Sequence, residues 1–105
     1  MSANIAYLEL KYGKIKAIDV HGLTKEEARA EIIYAIESSD IFIKALLVTH
    51  GYHSGVVLKK FLRKEFSHNN VCEIVNVDAS RTLLVLNFEK NIKEYKWTKK
   101  IGKRW

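Results

Sequence analysis

The sequence predicts an α/β domain: a two-layer sandwich of order βαβαββ, with a mixed four-stranded sheet and both helices on one face. Two observations predict it. Two apolar runs of strand length, Ile15 to Val20 and Ala45 to Thr49, each lead into a His-Gly pair and are each followed by a stretch with helical spacing. Two further runs, Val71 to Val77 and Thr82 to Phe88, flank the polar turn Asp78-Ala79-Ser80-Arg81 and read as a hairpin. Right-handed strand-helix-strand crossovers then place both helices on the same side of the sheet.

Taken in order, residues 5 to 12 partly alternate and stop at Gly13, so residues 1–14 are expected to form an extended arm or a strand. The next run, Ile15 to Val20, is a better strand. Side chains alternate along a strand, so Asp19 and His21 lie on one side of it, close enough to act as a pair. Thr24 and Glu27 fit a capping box that opens a helix running to about Ser38, with Ala28, Ile32, Ala35 and Ile36 as its buried stripe. After the polar break Ser38-Ser39-Asp40, the run Ala45 to Thr49 is apolar on both sides, which suits a central strand. The second helix, from about Gly55 to Phe66, is expected to bury Val57, Leu58, Phe61 and Leu62 and to turn Lys59, Lys60, Arg63 and Lys64 outward. Ser67-His68-Asn69-Asn70 ends it, with His68 expected in solvent.

A chain of 105 residues, 48% hydrophobic, suits one domain around one core, expected over residues 15–88. No run approaches the ~18 apolar residues of a membrane span, and Met1-Ser2-Ala3-Asn4 lacks a signal-peptide pattern, so a soluble, cytoplasmic protein is expected. The single cysteine, Cys72, has no partner for an internal disulfide, and its apolar surroundings suggest burial. The formal charge of +6 is concentrated: residues 89–105 hold seven basic and two acidic side chains, +5, which leaves +1 for everything before. That tail interleaves its lysines with Ile92, Tyr95, Trp97, Ile101 and Trp105. Rings of this kind stack on bases while ammonium groups meet phosphates; alternatively a helix docks them on the open face of the sheet. A basic helix and a basic tail together favour a polyanionic partner, RNA or DNA.

The stretch Thr49-His50-Gly51-Tyr52-His53-Ser54-Gly55 lies between a strand and the basic helix. Its glycines permit a tight turn, and the helix that follows has free amide groups for an anion. It is not a P-loop, because Gly55 is followed by Val56-Val57 rather than Lys-Ser or Lys-Thr. It is not a nucleophile elbow either, because His53, not serine, stands at the centre. An ordinary strand-to-helix turn with Ser54 as cap is the plainer reading. Asp19 and His21 likewise admit two readings, a turn fixed by the carboxylate or a general base oriented by it. A divalent metal, Mg or Mn, held by Asp19, His21, His50 and His53 is a further use of carboxylate and imidazole, although the spacing fits no closed zinc pattern.

Asp19-Val20-His21-Gly22-Leu23-Thr24, followed by His50-Gly51-Tyr52-His53-Ser54-Gly55 and Leu58-Lys59-Lys60, resembles the two motifs of the small MutS-related (Smr) domain over residues 15–88. In that family an Asp-x-His-Gly motif ends one strand and a His-Gly-x-Gly loop ends another. His53 departs from the pattern, standing where the second loop glycine is usual. The resemblance implies a fold similar to the C-terminal domain of translation initiation factor three, and nucleic-acid binding, often with endonuclease activity on RNA or by nicking DNA. The residues themselves add roles to that placement: Asp19 would orient His21 as general base, His50 or His53 would be the acid, and Gly51, Tyr52, His53, Ser54, Gly55, Lys59, Lys60 and Arg63 would contact the nucleic acid. Two other classes stay open: a module that binds nucleic acid or the ribosome without cutting, and a domain whose basic face meets an acidic protein.

Overall fold

The structure, a computed structural model, describes residues 4–10, 13–51 and 56–88. In chain order these form β1 (Asn4–Leu10), β2 (Gly13–Asp19), α1 (Lys25–Glu37), β3 (Ile43–Thr49), α2 (Val56–Lys60) continued by a π-helical turn (Phe61–Glu65), β4 (Val71–Asn76) and β5 (Arg81–Leu86). The strands make one five-stranded sheet in the order β1-β2-β3-β5-β4. β2 and β3 are parallel, and the other three pairings are antiparallel.

The expected four-stranded βαβαββ order is thereby corrected to a five-stranded ββαβαββ order. β1 pairs with β2 along its whole length, from Asn4 opposite Asp19 to Leu10 opposite Gly13. Its alternation is weak because it is an edge strand with no helix over it, and Ile5, Tyr7 and Leu8 are all exposed. The interior strands are deeply buried on their helix-facing side. Ile18 and Val20, Leu46 and Val48, and Leu84 and Leu86 join Ala28, Ile32, Ala35 and Ile36 of α1 and Leu58, Phe61 and Leu62 of the second helical segment in one core cluster. Both helical segments therefore bury their apolar sides against one face of the sheet.

The two helical segments end by different devices. α1 opens on the capping box, Glu27 N donating to Thr24 Oγ1 at 3.1 Å and Thr24 N to Glu27 Oε1 at 3.0 Å. Its last turn carries no basic residue, and β2 supplies one from across the core. Lys16 is 3% exposed, and its Nζ donates to Ala35 O at 2.9 Å and Ser38 Oγ at 3.3 Å. A cation at a helix C-terminus satisfies free carbonyls and favours the helix dipole. Burial lowers the Lys16 pKa, and the charge of Asp40 opposes that shift. The second segment instead widens: Phe66 N donates to Phe61 O at 2.9 Å, an i to i+5 bond. This turn carries Phe66 into the core, edge-on to Phe61 with ring centroids 5.7 Å apart.

Away from the candidate site, three side chains sit other than expected. Val57 is 61% exposed in the first turn of α2, so the buried stripe starts one residue later, at Leu58. Cys72 is exposed, because β4 is an edge strand whose register shifts between Val71 and Glu73. His68 is not simply solvated: its Nδ1 accepts from Asn70 N at 3.1 Å, and its Nε2 lies 3.4 Å from Glu37 Oε2. Among the described residues no helix is long and apolar enough to cross a membrane.

Candidate functional site

The carboxyl ends of β2 and β3 lie side by side, and strand parity decides what each contributes. On β2 the helix-facing positions are Lys16, Ile18 and Val20, and on β3 they are Leu46, Val48 and His50. Asp19 is in register with Thr49, and Val20 N donates to Thr49 O at 2.9 Å. His50 is therefore level with Val20 and points into the core. His21 is level with Gly51, where a Cβ would lie 3.2 Å from its own Cβ. Gly51 takes φ +94° and Gly22 takes φ +84°, left-handed conformations that other side chains adopt only with strain, so both strands turn away immediately after these histidines.

Asp19 and His21 form a tight pair. One carboxylate oxygen, Asp19 Oδ1, accepts from the His21 amide at 3.0 Å and lies 2.6 Å from His21 Nδ1. The same oxygen therefore fixes the turn and orients the ring. With the Nδ1 proton held by a carboxylate, a neutral imidazole presents its basic lone pair at Nε2. The His21 side chain is 68% exposed, and among the described residues nothing hydrogen-bonds to Nε2.

His50 is the opposite case, 0% exposed with both ring nitrogens engaged. Gly51 O can only accept, so Nδ1, 3.3 Å away, carries the proton. Nε2 then accepts from Thr82 Oγ1 at 3.0 Å, and Thr82 Oγ1 in turn accepts from Arg63 Nε at 2.9 Å. Burial lowers the His50 pKa; the hydrogen bond to Gly51 O opposes the shift, and the charges of Arg63 and Lys59 add to it. The ring is a neutral core group. This placement offers no path for it to protonate a leaving group on a bound substrate.

Arg63 does not reach outward, contrary to what the helical spacing suggests. Besides Thr82, it donates through Nη2 to Asp78 O at 2.8 Å and Arg81 O at 3.1 Å. It staples the turn between β4 and β5 to the π-helical turn. That hairpin turn is further fixed by Asp78, whose carboxylate is held well below the usual range by Arg81, with Ser80 as the second donor. Lys59, Lys60 and Lys64 remain as cations without described partners. They line an open cleft of about 480 Å³ between the second helical segment and β4, floored by Val56 and Ile74.

Of the expected site residues, the structure thus brings together Asp19, His21 and Gly51, and separately places Lys59, Lys60 and Arg63 on the cleft, Arg63 with its guanidinium already bonded to Thr82, Asp78 and Arg81. Tyr52, His53, Ser54 and Gly55, which connect Gly51 to α2, lie outside the described residues, as does the basic tail. Sequence reading passed over Lys64 as a lining residue of the cleft. It also passed over Thr49 and Arg81, which continue the row from Asp19 across β3 and β5 on the face away from the helices. Strand register was the signal that could have found them.

Among the described residues no group of three or more His, Cys, Asp or Glu side chains is placed to hold a metal. Asp19 and His21 offer two donors, and the nitrogens of His50 are already occupied. No family model, curated protein or solved structure matches the chain.

Proposed function

We propose that the chain is a nucleic-acid-binding domain of the Smr kind and that it cleaves phosphodiester bonds in RNA or nicks DNA. The observation that carries this reading is the exposed Asp19–His21 pair, with Nε2 free at the carboxyl ends of two parallel strands, where ligands of α/β sheets tend to bind. The resemblance of Asp19-Val20-His21-Gly22 and His50-Gly51 to the Smr motifs supports it. So does the basic cleft, whose lysines suit phosphates.

In this mechanism His21 Nε2 takes the proton from a water or a ribose 2′-hydroxyl, which attacks the phosphorus. Asp19 holds the ring in the productive tautomer and stabilises the imidazolium that forms. Lys59 and Lys60, on the cleft apart from the pair, bind flanking phosphates and hold the strand in register with the site. With His50 buried, the leaving oxygen takes its proton from His53, the other expected acid, or from solvent. His50 and Arg63 are assigned support of the site: they hold the β3 end and the β4–β5 turn in place.

A second reading, binding to nucleic acid or the ribosome without cutting, is favoured by the Asp19 contact to the His21 amide, which would exist in a purely structural turn. One assay separates the two. Labelled single-stranded RNA and supercoiled DNA are incubated in parallel with wild type and His21→Ala, with and without EDTA. Cleavage by wild type alone is the expected result, and EDTA sensitivity would reveal a metal requirement. Retarded substrates that neither protein cuts would leave the binding module standing, and equal cleavage by both would remove His21 from the mechanism.

A further inference from the structure

The cleft between the second helical segment and β4 holds more than cations. Lys59, Lys60 and Lys64 line its helical side, but Val56 and Ile74 give it an aliphatic floor, and Asn76 stands on its strand side. Ile74 pairs with Leu84 of the core and Asn76 with the buried Thr82, so parity turns both toward the helices. Among the described residues nothing hydrogen-bonds to the Asn76 side chain, which presents an amide donor and a carbonyl acceptor side by side. Lysines alone suit any polyanion. A phosphate gains nothing from an apolar floor, so the ligand that fits this cleft has an apolar part as well.

We propose that the cleft is a nucleobase subsite: it takes one unstacked base of a single-stranded RNA or DNA, adenine by preference, its ring against Val56 and Ile74, its edge on Asn76, and its flanking phosphates on the three lysines. This rests on the nucleic-acid-binding reading above and adds which part of the strand is read. An asparagine amide meets adenine bidentately, its carbonyl accepting from N6 and its NH2 group donating to N7. Apolar side chains hold the faces of a base taken out of its stack. The cleft volume of about 480 Å³ lies within the roughly 300–1,000 Å³ of small-ligand sites. Paired bases are read by an element that enters a groove of the duplex, and a concave cleft does the opposite. A single strand can splay a base into it.

The subsite stands apart from the Asp19–His21 pair. Ile18, Val48, Thr82 and Asn76 form one row across the sheet, so Asn76 lies three strand spacings, about 14 Å at ~4.8 Å each, from the residue next to Asp19. The base is therefore read at a fixed displacement from the bond held at His21. An acidic peptide is the rival occupant. A peptide beside an edge strand gains its affinity by adding to that strand, and β4 is poorly suited to this: its register shifts between Val71 and Glu73, and the exposed Glu73 carries the peptide's own sign of charge.

The test is fluorescence anisotropy of the intact protein at low salt with short labelled strands: oligoadenylate and oligouridylate as RNA and as DNA, an abasic strand, a duplex, and poly-glutamate. Expected is about tenfold tighter binding of oligoadenylate than of oligouridylate, within the range for one bidentate base contact. Asn76→Ala should erase that preference and leave the slope of log affinity against log salt unchanged, because no phosphate contact is lost. Val56→Ser, at a position 55% exposed, should weaken oligoadenylate several-fold without affecting the abasic strand. No preference for oligoadenylate over the abasic strand or oligouridylate, a preference that survives Asn76→Ala, or tighter binding of the duplex would overturn the subsite while nucleic-acid binding stands. Tighter binding of poly-glutamate would overturn it in favour of an acidic protein partner. Binding to none of the strands would remove the nucleic-acid reading itself, and the subsite with it.

Discussion

His21 and His50 are the same residue in the same sequence setting, the last residue before a glycine at the end of a parallel strand, and the fold gives them opposite fates. His21 is exposed with a free Nε2, whereas His50 is fully buried with both nitrogens bonded. The cause is a shift of one residue. Asp19 is in register with Thr49, so the two His-Gly pairs are out of step, and a step of one residue turns a strand side chain to the other face. A motif match reports spacing along the chain. Chemistry depends on which face the spacing lands on.

The sharpest way to break this comparison is to remove each ring in turn. His21→Ala should lower cleavage by about 100-fold or more, the usual contribution of a general base. Its urea unfolding free energy should stay within ~0.5 kcal/mol of wild type, as for other exposed substitutions. His50→Ala should do the reverse. It leaves a cavity and removes the partner of Thr82 Oγ1, so unfolding should fall by about 2–4 kcal/mol, while the protein that remains folded cleaves at close to the wild-type rate. An inactive but fully stable His50→Ala protein would restore the acid role that its sequence position suggests.

The same lesson explains what was legible from residues alone. Thr24 and Glu27 marked the start of α1, and Ala28, Ile32, Ala35 and Ile36 marked its buried side, because helix caps and helical period are local signals. Asp19 and His21 were legible as a pair because they are two apart on one strand. β1 was only half visible, since an edge strand without a cover has no burial to sharpen its pattern. The inward turn of Arg63 and the burial of Lys16 went unannounced for a common reason. Each is a charged residue whose head group is satisfied by backbone carbonyls distant in sequence, Asp78 and Arg81 for one and Ala35 for the other. No local pattern announces such a partner.

Arg63 supplies the next test, because it separates a structural cation from a binding one on the same turn of helix. Arg63→Met removes donors to Thr82, Asp78 and Arg81 and should cost about 1–3 kcal/mol of unfolding free energy, read from the urea midpoint. A change within ~0.5 kcal/mol, with nucleic-acid affinity lost, would return Arg63 to the binding surface.

Acid should then expose His50 without any substitution. Its pKa in the folded protein lies below the ordinary 6.5 because burial disfavours the charged ring. Below pH 6.5 the unfolded chain takes up a proton at this position that the folded chain refuses, so stability is lost as pH falls from 6.5 toward the folded pKa. The slope from this group cannot exceed ~1.4 kcal/mol per pH unit. Comparing urea midpoints between pH 8 and pH 5 should show this loss in wild type and a shallower one in His50→Gln, which cannot titrate. Equal slopes would mean that His50 charges as readily in the fold as out of it.

The smallest effects belong to Lys59 and Lys60. Neither has a partner among the described residues, so Lys59→Ala and Lys60→Ala should each change unfolding by no more than ~0.5 kcal/mol. If they hold phosphates, each loss removes one released counterion, and the slope of log affinity against log salt should fall by about 1 per lysine. A cation that merely keeps the surface soluble would leave that slope where it was. Measured beside Arg63→Met, the pair completes the contrast: on one short basic helical segment, the charges that matter to folding are already consumed by the chain, and those left over are the ones available to a polyanion.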